Sequence, residues 1–258
     1  MITSIKHNQC ISLKERLSLA NKTPILVFDL DDTLYSKQQV FLTALKKCYP
    51  TFSTDMDVYK VYREKSEIAF ELFTKGQITL EENHFSRVKS TLSSLGLDSS
   101  KESVIRFKET YQYVMDHIEL DKEWYDFFNQ VSHRSTLVLL TNGPTSHQSK
   151  KITSLGLEKW FDSSRIFISE TTGVPKPQAE AFKNVEQLFP DISTSDFWMI
   201  GDDLINDIEG AKNRNWNTIF FKFGEKKSDA NPKPLSNPKE LLLNWKKRHL
   251  SAFKIMKK

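Results

Sequence analysis

The chain has 258 residues, of which 38% are hydrophobic and 27% are charged, and its formal net charge is +4. This length suits one large domain or two smaller ones, and the composition is that of an ordinary globular protein. No apolar stretch approaches the ~18 to 20 residues needed to span a membrane, and the N-terminus lacks the apolar region of a signal peptide. Cys10 and Cys48 have no metal-like spacing, so we expect free thiols in a cytoplasmic protein without a membrane partner.

The first strong pattern is a predicted buried strand over 25–28 that ends in acidic residues. Asp29, Asp31 and Asp32 follow the strand, with Thr33 directly after them. Carboxylates are rarely buried without a partner, and ligands of open α/β sheets bind at the carboxyl ends of strands. The run therefore favours a cation site or a catalytic device. The alternative is an Asp-rich turn that closes the strand, since Asp and Thr also favour turns and helix caps.

The next part of the chain, from 38 to about 118, contains no good strand candidate. Three segments instead have apolar residues at helical spacing: Val58, Tyr62, Phe70 and Phe73; Phe85, Val88, Leu92 and Leu95; Val104, Phe107, Tyr111 and Val114. Gly96 follows the second segment, as a glycine at a helix C-terminus does. This pattern predicts an all-helical insert of four or five helices.

After about residue 124 the chain alternates between predicted strands and helices. The strands are expected over 137–140, 166–169, 197–200 and 218–223, and the helices over 146–155, 178–188 and 207–213. Strands that alternate with helices predict a parallel sheet with right-handed crossovers. We expect a loop over 224–238 and the start of a last helix over 241–245. Residues 14–20 are a further helix candidate.

Polar clusters follow three of the predicted strands. Asp29, Asp31 and Thr33 follow the first, Thr141 and Asn142 the second, and Asp202, Asp203 and Asp207 the third. If these strands are neighbours, the clusters converge on one crevice. Lys176 lies in a Val-Pro-Lys-Pro turn, where its ammonium group can neutralise a bound phosphate and balance the acids. Carboxylates with water favour a hard cation, above all Mg²⁺.

These motifs, in chain order, resemble the four motifs of the haloacid dehalogenase-like (HAD) hydrolase superfamily. They are Asp29-x-Asp31-x-Thr33, Thr141, Lys176 with Pro177, and Gly201-Asp202-x4-Asp207. The helical insert resembles the C1 cap of that superfamily, and the match covers roughly residues 24–245. The resemblance implies an α/β fold with a Rossmann-like three-layer α/β/α core and a parallel sheet. Its implied domains are a core over 1–36 and 120–245, a helical cap over 37–119, and a basic tail over 246–258.

The resemblance also implies a role for each motif residue. Asp29 is the expected nucleophile that forms an aspartyl-phosphate, and Asp31 is the expected general acid and then base. The Thr141 hydroxyl and the Asn142 backbone N–H are expected to hold phosphoryl oxygens. Lys176 is expected to pair with the phosphate and with Asp29.

A magnesium site and its supporting residues follow from the same resemblance. Mg²⁺ is expected on the Asp29 carboxylate, the Asp31 backbone carbonyl and Asp202. Asp207 is expected to orient Lys176 or a metal-bound water, with Asp203 as the alternative for that role.

Asp31 separates the branches of the superfamily. Dehalogenases lack an acid at this position because a halide leaving group needs no proton, so the chain resembles a phosphatase. Several stretches are similar to nucleotidases and flavin-precursor phosphatases, which implies a small phosphorylated metabolite as substrate. Phosphoryl transfer, as in phosphomutases, and a catalytically silent regulatory protein are the alternatives.

Substrate choice in capped members depends mainly on the cap and on the loop that enters it. Tyr35 and Lys37 open that loop, and Arg63 and Arg87 are basic residues of the cap that could reach a substrate. We favour the alternative that each arginine is an exposed helix charge. From 246 to 258 there are six Lys/Arg and no acid, and we favour a solvated tail over a nucleic-acid site.

Overall fold

The computed structural model of the protein describes residues 23–223 and 233–254, with side chains as far as residue 246. The helix candidate over 14–20, Cys10 and residues 224–232 of the predicted loop lie outside the described residues. Cys48 is a free cysteine, as expected from the sequence.

The described residues form one five-stranded sheet. Its strands are β1 (Ile25–Phe28), β2 (Thr136–Thr141), β3 (Ile166–Ile168), β4 (Phe197–Gly201) and β5 (Asn217–Phe220). Their order across the sheet is β3-β2-β1-β4-β5, and all neighbouring strands are parallel. The chain changes direction across the sheet beside β1, which is where open α/β sheets bind their ligands. The α/β fold with a parallel sheet is therefore confirmed.

Helices make up most of the remaining described chain. The α-helices are α1 (Lys37–Cys48), α2 (Val58–Thr74), α3 (Leu80–Ser94), α4 (Lys101–Asp116), α5 (Lys122–Val131), α6 (Thr145–Ser154), α7 (Ser169–Thr172), α8 (Ala179–Glu186), α9 (Gly210–Lys212) and α10 (Pro238–Lys254). A π-helix, Leu204–Glu209, leads directly into α9. No helix among the described residues has the length and apolar character needed to cross a membrane.

Both faces of the sheet are covered by apolar side chains from helices. On one face, Ile25 and Val27 pack with Phe182 and Val185 of α8. On the other face, the ring of Phe28 meets four rings edge-on at centroid distances of 5.3 to 6.0 Å, those of Trp124, Phe127, Phe128 and Phe161. A strand buried on both faces reads as a continuous apolar run, which is why residues 25–28 stand out in the sequence.

The chain divides into two compact units. The first consists of the residues up to Thr33, Lys122–Pro144 and the residues from Lys159 onward; the second consists of Leu34–Asp121 and Thr145–Glu158. The second unit thus holds α1 to α4 together with α6. The Ser154 hydroxyl at the end of α6 donates to the Asp116 carbonyl at 2.9 Å, which ties α6 to the end of α4. The domain boundaries inferred from the sequence stay a prediction.

The second unit has its own apolar core. Phe41 of α1, Val88 and Leu92 of α3, and Val104 and Phe107 of α4 are buried together. The residues of α3 and α4 in this core belong to the second and third segments in which the sequence has apolar residues at helical spacing. Phe70 of α2, in contrast, is 58% exposed, because helical spacing alone does not say which face of a helix meets a partner.

Several predicted element bounds differ from the structure. The helix predicted over 207–213 begins earlier, at Leu204, and its first part is the π-helix. The strand predicted over 218–223 is Asn217–Phe220. The last helix begins at Pro238 and extends to Lys254, so residues 246–254 of the predicted tail continue a helix.

Candidate active site

The carboxyl ends of β1, β2 and β4 bring together the three polar clusters that the sequence singled out. Phe28 of β1 lies opposite Leu139 of β2 and Ile200 of β4. The Asp29 N–H continues the ladder by donating to the Ile200 carbonyl at 2.9 Å. Thr141, the last residue of β2, therefore lies at the same end of the sheet as Asp29 and Asp202, which directly follow β1 and β4.

Lys176 is the centre of a buried ion-pair cluster at this edge. Its Nζ donates to Asp29 Oδ1 at 2.7 Å and to Asp207 Oδ1 at 2.6 Å. All three side chains are almost inaccessible to solvent, with exposed fractions of 2%, 9% and 1% for Lys176, Asp29 and Asp207. A buried lysine requires such partners, because an unpaired ammonium in the interior costs several kcal/mol.

The side chain of Asn142 fixes the backbone of Lys176, a contact that the sequence reasoning did not identify. Asn142 Nδ2 donates to the Lys176 carbonyl, and the Lys176 N–H donates to Asn142 Oδ1, both at 2.9 Å. The Lys176–Pro177 peptide bond is cis. The loop after β2 thus holds the loop that carries the lysine. The only sequence signal for this contact is an amide residue at a strand end.

Burial and the charges of the cluster together shift two of its pKa values. Burial raises the pKa of the Asp29 carboxyl to about 7, although the Lys176 ammonium opposes this shift; the Asp207 and Asp31 carboxylates also raise it. Burial alone would lower the pKa of Lys176, but the carboxylates of Asp207 and Asp29 outweigh it and hold the pKa above its usual value. The lysine is therefore charged, and the acids around it outnumber it.

A group of three carboxylates at this edge has the geometry of a cation site. Oxygen atoms of Asp29, Asp202 and Asp207 all lie within 4.8 Å of one another. Asp202 is half-buried and directly follows β4. Oxygen donors of this kind suit a hard divalent cation.

Asp203 and Asp207 have different positions, although the sequence left both open for one supporting role. Asp203 caps the π-helix, where its Oδ1 accepts from the N–H groups of Ile205 at 2.9 Å and Asn206 at 2.8 Å. Burial alone would raise the Asp203 pKa, but these hydrogen bonds hold it below its usual value. Asp207 is the one in direct contact with Lys176. Its Oδ2 also accepts from the Asp203 N–H at 3.1 Å.

A glycine makes room for the Asp207 carboxylate. A Cβ atom built on Gly201, the last residue of β4, would overlap the carboxyl group of Asp207. The absence of a side chain at this strand end therefore permits Asp207 to reach Lys176.

Three further predicted residues lie at the carboxyl ends of β1 and β2 or directly after them. Asp31 is half-buried, and its carboxylate acts on the pKa of Asp29. Thr141 is buried as the last residue of β2. Thr33 is fully buried, and its hydroxyl makes no hydrogen bond with the described residues.

The four predicted specificity residues belong to the second unit. Tyr35, Lys37 and Arg87 line a cavity of about 430 Å³ in that unit. Arg63 does not line it. Its side chain is 58% exposed and lies 3.8 Å from Glu67, one helical turn away. The cavity also contains residues that the sequence reasoning did not identify, among them Lys108, Lys150 and Lys151.

Comparison with protein families gives one match that covers most of the chain. Residues 23–213 match a family model described as haloacid dehalogenase-like hydrolase. This range includes all the motif residues described above, from Asp29 to Asp207.

Individual relatives show the same likeness. The HAD-hydrolase YfnB of Bacillus subtilis is 26% identical over 202 residues, which cover 76% of this chain and 83% of that protein. The pyrimidine 5'-nucleotidase PynA of Streptococcus pneumoniae is 28% identical over 204 residues, covering 76% and 82%. A glyceraldehyde 3-phosphate phosphatase of Pyrococcus abyssi is 35% identical over 89 residues, about a third of each chain.

The fold likewise matches a solved structure. The crystal structure of YfnB bound to magnesium has a TM-score of 0.63 to this chain at 24% sequence identity. The match covers 87% of this chain and 99% of that chain.

Proposed function

The chain belongs to the haloacid dehalogenase-like (HAD) hydrolase family, and from this premise we propose that it is a Mg²⁺-dependent phosphomonoesterase. The general reaction is phosphoester hydrolysis, since relatives in the family are named as a phosphatase and a nucleotidase. The observation that carries the finer proposal is the buried contact of Lys176 with Asp29 and Asp207 beside Asp202.

Asp29 is the proposed nucleophile. Lys176 holds Asp29 Oδ1 at 2.7 Å, and Oδ2 is the proposed attacking atom. Attack by Oδ2 forms a bond to phosphorus as the ester P–O bond breaks, which gives an aspartyl-phosphate and a free alkoxide. Water then attacks the phosphorus and regenerates the carboxylate.

Asp31 is the proposed proton donor and acceptor. It gives its proton to the leaving alkoxide in the first step and takes a proton from the attacking water in the second. The Thr141 hydroxyl and the Asn142 backbone N–H hold phosphoryl oxygens. Lys176 balances the charge of the phosphate and of the nucleophile.

The donor set fits a magnesium ion. Both Asp207 oxygens already accept hydrogen bonds, from Lys176 and from the Asp203 N–H. We therefore assign the ion to the carboxylates of Asp29 and Asp202 and to the backbone carbonyl of Asp31. Held by these residues, Mg²⁺ would offset the repulsion between an anionic nucleophile and an anionic phosphate.

The proposed substrate is a small phosphorylated metabolite in the cytoplasm, with a nucleoside monophosphate or a flavin-type phosphate favoured. The name of the relative PynA supports a nucleotide. Phosphoryl transfer to another acceptor is the second candidate, and it differs in that phosphate moves without appearing free in solution. A catalytically silent protein is disfavoured because every motif position holds the residue that the chemistry requires.

Phosphate release from a panel of substrates tests the proposal. The panel contains pyrimidine and purine monophosphates, flavin mononucleotide, sugar phosphates and phosphoglycolate, each with Mg²⁺ and with chelator. We expect release that requires Mg²⁺ and returns when the metal is restored. Asp29→Asn removes turnover, because an amide cannot act as the nucleophile.

The matched control is Asp32→Asn, three residues away. Asp32 has a positive φ of 58°, which Asn tolerates, and it has no proposed role. Loss of activity in Asp32→Asn equal to that in Asp29→Asn, or turnover retained by Asp29→Asn, contradicts the assignment of the nucleophile.

A further inference from the structure

A small group of polar and aromatic side chains on the first unit shares no residue with the candidate active site. Tyr125 and Asn129 lie one turn apart on α5, and Lys159 and Trp160 follow each other in the chain after α6. All four residues belong to the first compact unit. We call them the tyrosine cluster.

Lys159 brings a positive charge to the phenol oxygen of this cluster. Its Nζ donates to the Tyr125 hydroxyl at 2.6 Å. The same atom lies 4.1 Å from the ring centre of Tyr125 and 4.8 Å from that of Trp160. Because aromatic faces attract an ammonium group, two rings and a hydrogen bond together keep the cation beside the phenol oxygen.

Asn129 supplies a second donor, and its orientation follows from Trp160. Trp160 Nε1 donates to Asn129 Oδ1 at 3.1 Å, and an indole N–H can only donate. The amide oxygen therefore faces the indole, which leaves the Nδ2 group to form the hydrogen bond between Asn129 and the Tyr125 phenol. The phenol oxygen thus accepts from an ammonium group and from an amide.

The tyrosine cluster is anchored to the apolar core of the first unit. The Trp160 ring meets the Tyr125 ring edge-on at a centroid distance of 5.2 Å. It also lies 5.4 Å from the ring of Phe128, which is fully buried. The donors are therefore held in place before the phenol loses its proton, and donors fixed in this way stabilise an anion without reorganisation.

These donors favour the ionised form of the phenol. The hydrogen bonds from Lys159 and Asn129, together with the charge of the ammonium group, hold the pKa of the Tyr125 phenol below its usual value. Desolvation and the Asp126 carboxylate oppose this shift. Asp126 is itself paired with Lys122 at 2.8 Å, and the net effect favours the phenolate.

Tyr125 is also accessible to reagents in solvent. It is 43% exposed, and an activated side chain that solvent reaches can act as a nucleophile. Tyr113 is the internal comparison, because it is more exposed, at 56%. The ammonium group of Lys47 lies 5.9 Å from the Tyr113 ring centre, compared with 4.1 Å between Lys159 and the Tyr125 ring.

We propose that Tyr125 is a covalent modification site, at which the phenol oxygen takes a sulfonyl or acyl group from an activated donor. The oxygen attacks as the phenolate, after its proton has passed to water. An O–S or O–C bond forms, and the leaving group departs with the electron pair of the bond that breaks. The proposal goes beyond the phosphatase function and does not depend on it, because no residue of the tyrosine cluster takes part in that mechanism.

Benzenesulfonyl fluoride is the probe, since its sulfur accepts the phenolate oxygen and releases fluoride. The full chain is treated at pH 8 to less than one label per molecule, and tandem mass spectrometry of its peptides locates the label. We expect Tyr125 to be labelled at least ~5-fold faster than Tyr113, because a larger fraction of it is ionised. Labelling of Tyr113 at an equal or higher rate, or of Lys159 in preference to Tyr125, overturns the proposal.

Two variants test whether the donors cause this reactivity. Lys159→Met and Asn129→Ala each slow the labelling of Tyr125 at least ~3-fold, while Tyr113 in the same molecules keeps its rate. The control is Lys212→Met, which removes an exposed lysine of the same unit outside the tyrosine cluster. A loss in Lys212→Met equal to that in Lys159→Met, or unchanged rates in both cluster variants, contradicts the proposal.

The pH dependence of labelling separates ionisation of Tyr125 from its accessibility. We expect the Tyr125 rate to rise at a lower pH than the Tyr113 rate, because Lys159 and Asn129 stabilise the phenolate. In Lys159→Met this rise moves to higher pH, since no ammonium group then favours the ionised form. Lys159→Arg restores it, because the guanidinium keeps the charge. Identical pH profiles for Tyr125 and Tyr113 in the unchanged chain overturn the proposal.

Discussion

Lys176 is stable in the interior only because its two carboxylate partners are buried with it. The ammonium group makes charge-assisted hydrogen bonds of 2.7 Å to Asp29 and 2.6 Å to Asp207, which are short for this type of contact. Removal of one partner from such a cluster leaves the other charges uncompensated in a low-dielectric environment. The same lysine is thus a condition for the fold of the site and, in the proposed mechanism, for its chemistry.

We predict that Lys176→Met lowers the free energy of unfolding by about 3 to 5 kcal/mol, because Asp29 and Asp207 then lose their shared cation. Turnover falls at least ~100-fold, as for loss of a positioned electrostatic group. Urea denaturation and phosphate release measure the two effects. The control is Lys183→Met, which breaks an exposed pair with Glu180 and costs at most ~1 kcal/mol. Equal stability of the two variants would contradict the buried cluster.

Gly201 determines the position of Asp207 because it has no side chain, and the carboxylate occupies the room that a Cβ atom would fill. We predict that Gly201→Ala lowers activity at least ~10-fold and stability by about 1 to 3 kcal/mol, because the new methyl group pushes the Asp207 carboxylate away from Lys176. The measurement is kcat/KM together with the unfolding midpoint.

Gly96→Ala is the comparison variant for Gly201→Ala. Gly96 has a positive φ of 70° and open space around it, so alanine there costs only backbone strain, about 1 to 2 kcal/mol. Turnover per folded molecule stays at the wild-type level. If Gly96→Ala loses as much turnover as Gly201→Ala, crowding at Asp207 is not the cause.

At the scale of elements, the π-helix after β4 depends on Asp203 as its cap. We predict that Asp203→Ser keeps activity within about threefold of wild type, because serine also accepts hydrogen bonds from backbone N–H groups at a helix start. Asp203→Ala lacks an acceptor, and it loses about 0.5 to 2 kcal/mol of stability and more activity. The test is to measure kcat/KM for both Asp203 variants and for Asp207→Ala. If Asp203→Ser is as inactive as Asp207→Ala, activity requires the negative charge of Asp203 and not only its role as a helix cap.

The centre of the sheet could be predicted from the sequence because β1, β2 and β4 are buried on both faces. Residues 25–28, 137–140 and 197–200 are continuous apolar runs with acidic or amide residues at one end, and a parallel sheet brings those ends together. The convergence of Asp29, Asp202 and Asp207 followed from topology alone. Their chemical roles still depend on the family resemblance.

Other features depend on contacts between segments that are distant in the chain. The Asn142 side chain binds the backbone of Lys176, 34 residues away, and no local pattern indicates such a pair. The sequence does not indicate the π-helix, because Asp203 fits the acidic motif as well as it fits a helix cap. The exposure of Phe70 likewise depends on which helix face finds a partner, and spacing does not determine this.

At the scale of the whole molecule, the excess of acids at the candidate site is opposite in sign to the net charge of the chain. The chain has a net charge of +4, yet the carboxylate oxygens of Asp29, Asp202 and Asp207 lie within 4.8 Å of one another, and Lys176 pairs with Asp29 and Asp207. Burial of an excess of acids opposes folding, and the raised pKa of Asp29 reflects this cost. A divalent cation bound only by the folded state reverses it.

Magnesium should therefore stabilise the protein in the absence of any substrate. At a concentration about 100 times the dissociation constant, a ligand of the folded state adds about 2.7 kcal/mol, which corresponds to a rise of several degrees in the unfolding midpoint. Differential scanning calorimetry with Mg²⁺ and with chelator measures this shift, and Asp202→Asn should lose it because one proposed ligand is gone. Asp191→Asn removes an exposed carboxylate of the same unit and should keep the full shift. A shift that survives in Asp202→Asn means that magnesium binds elsewhere on the chain.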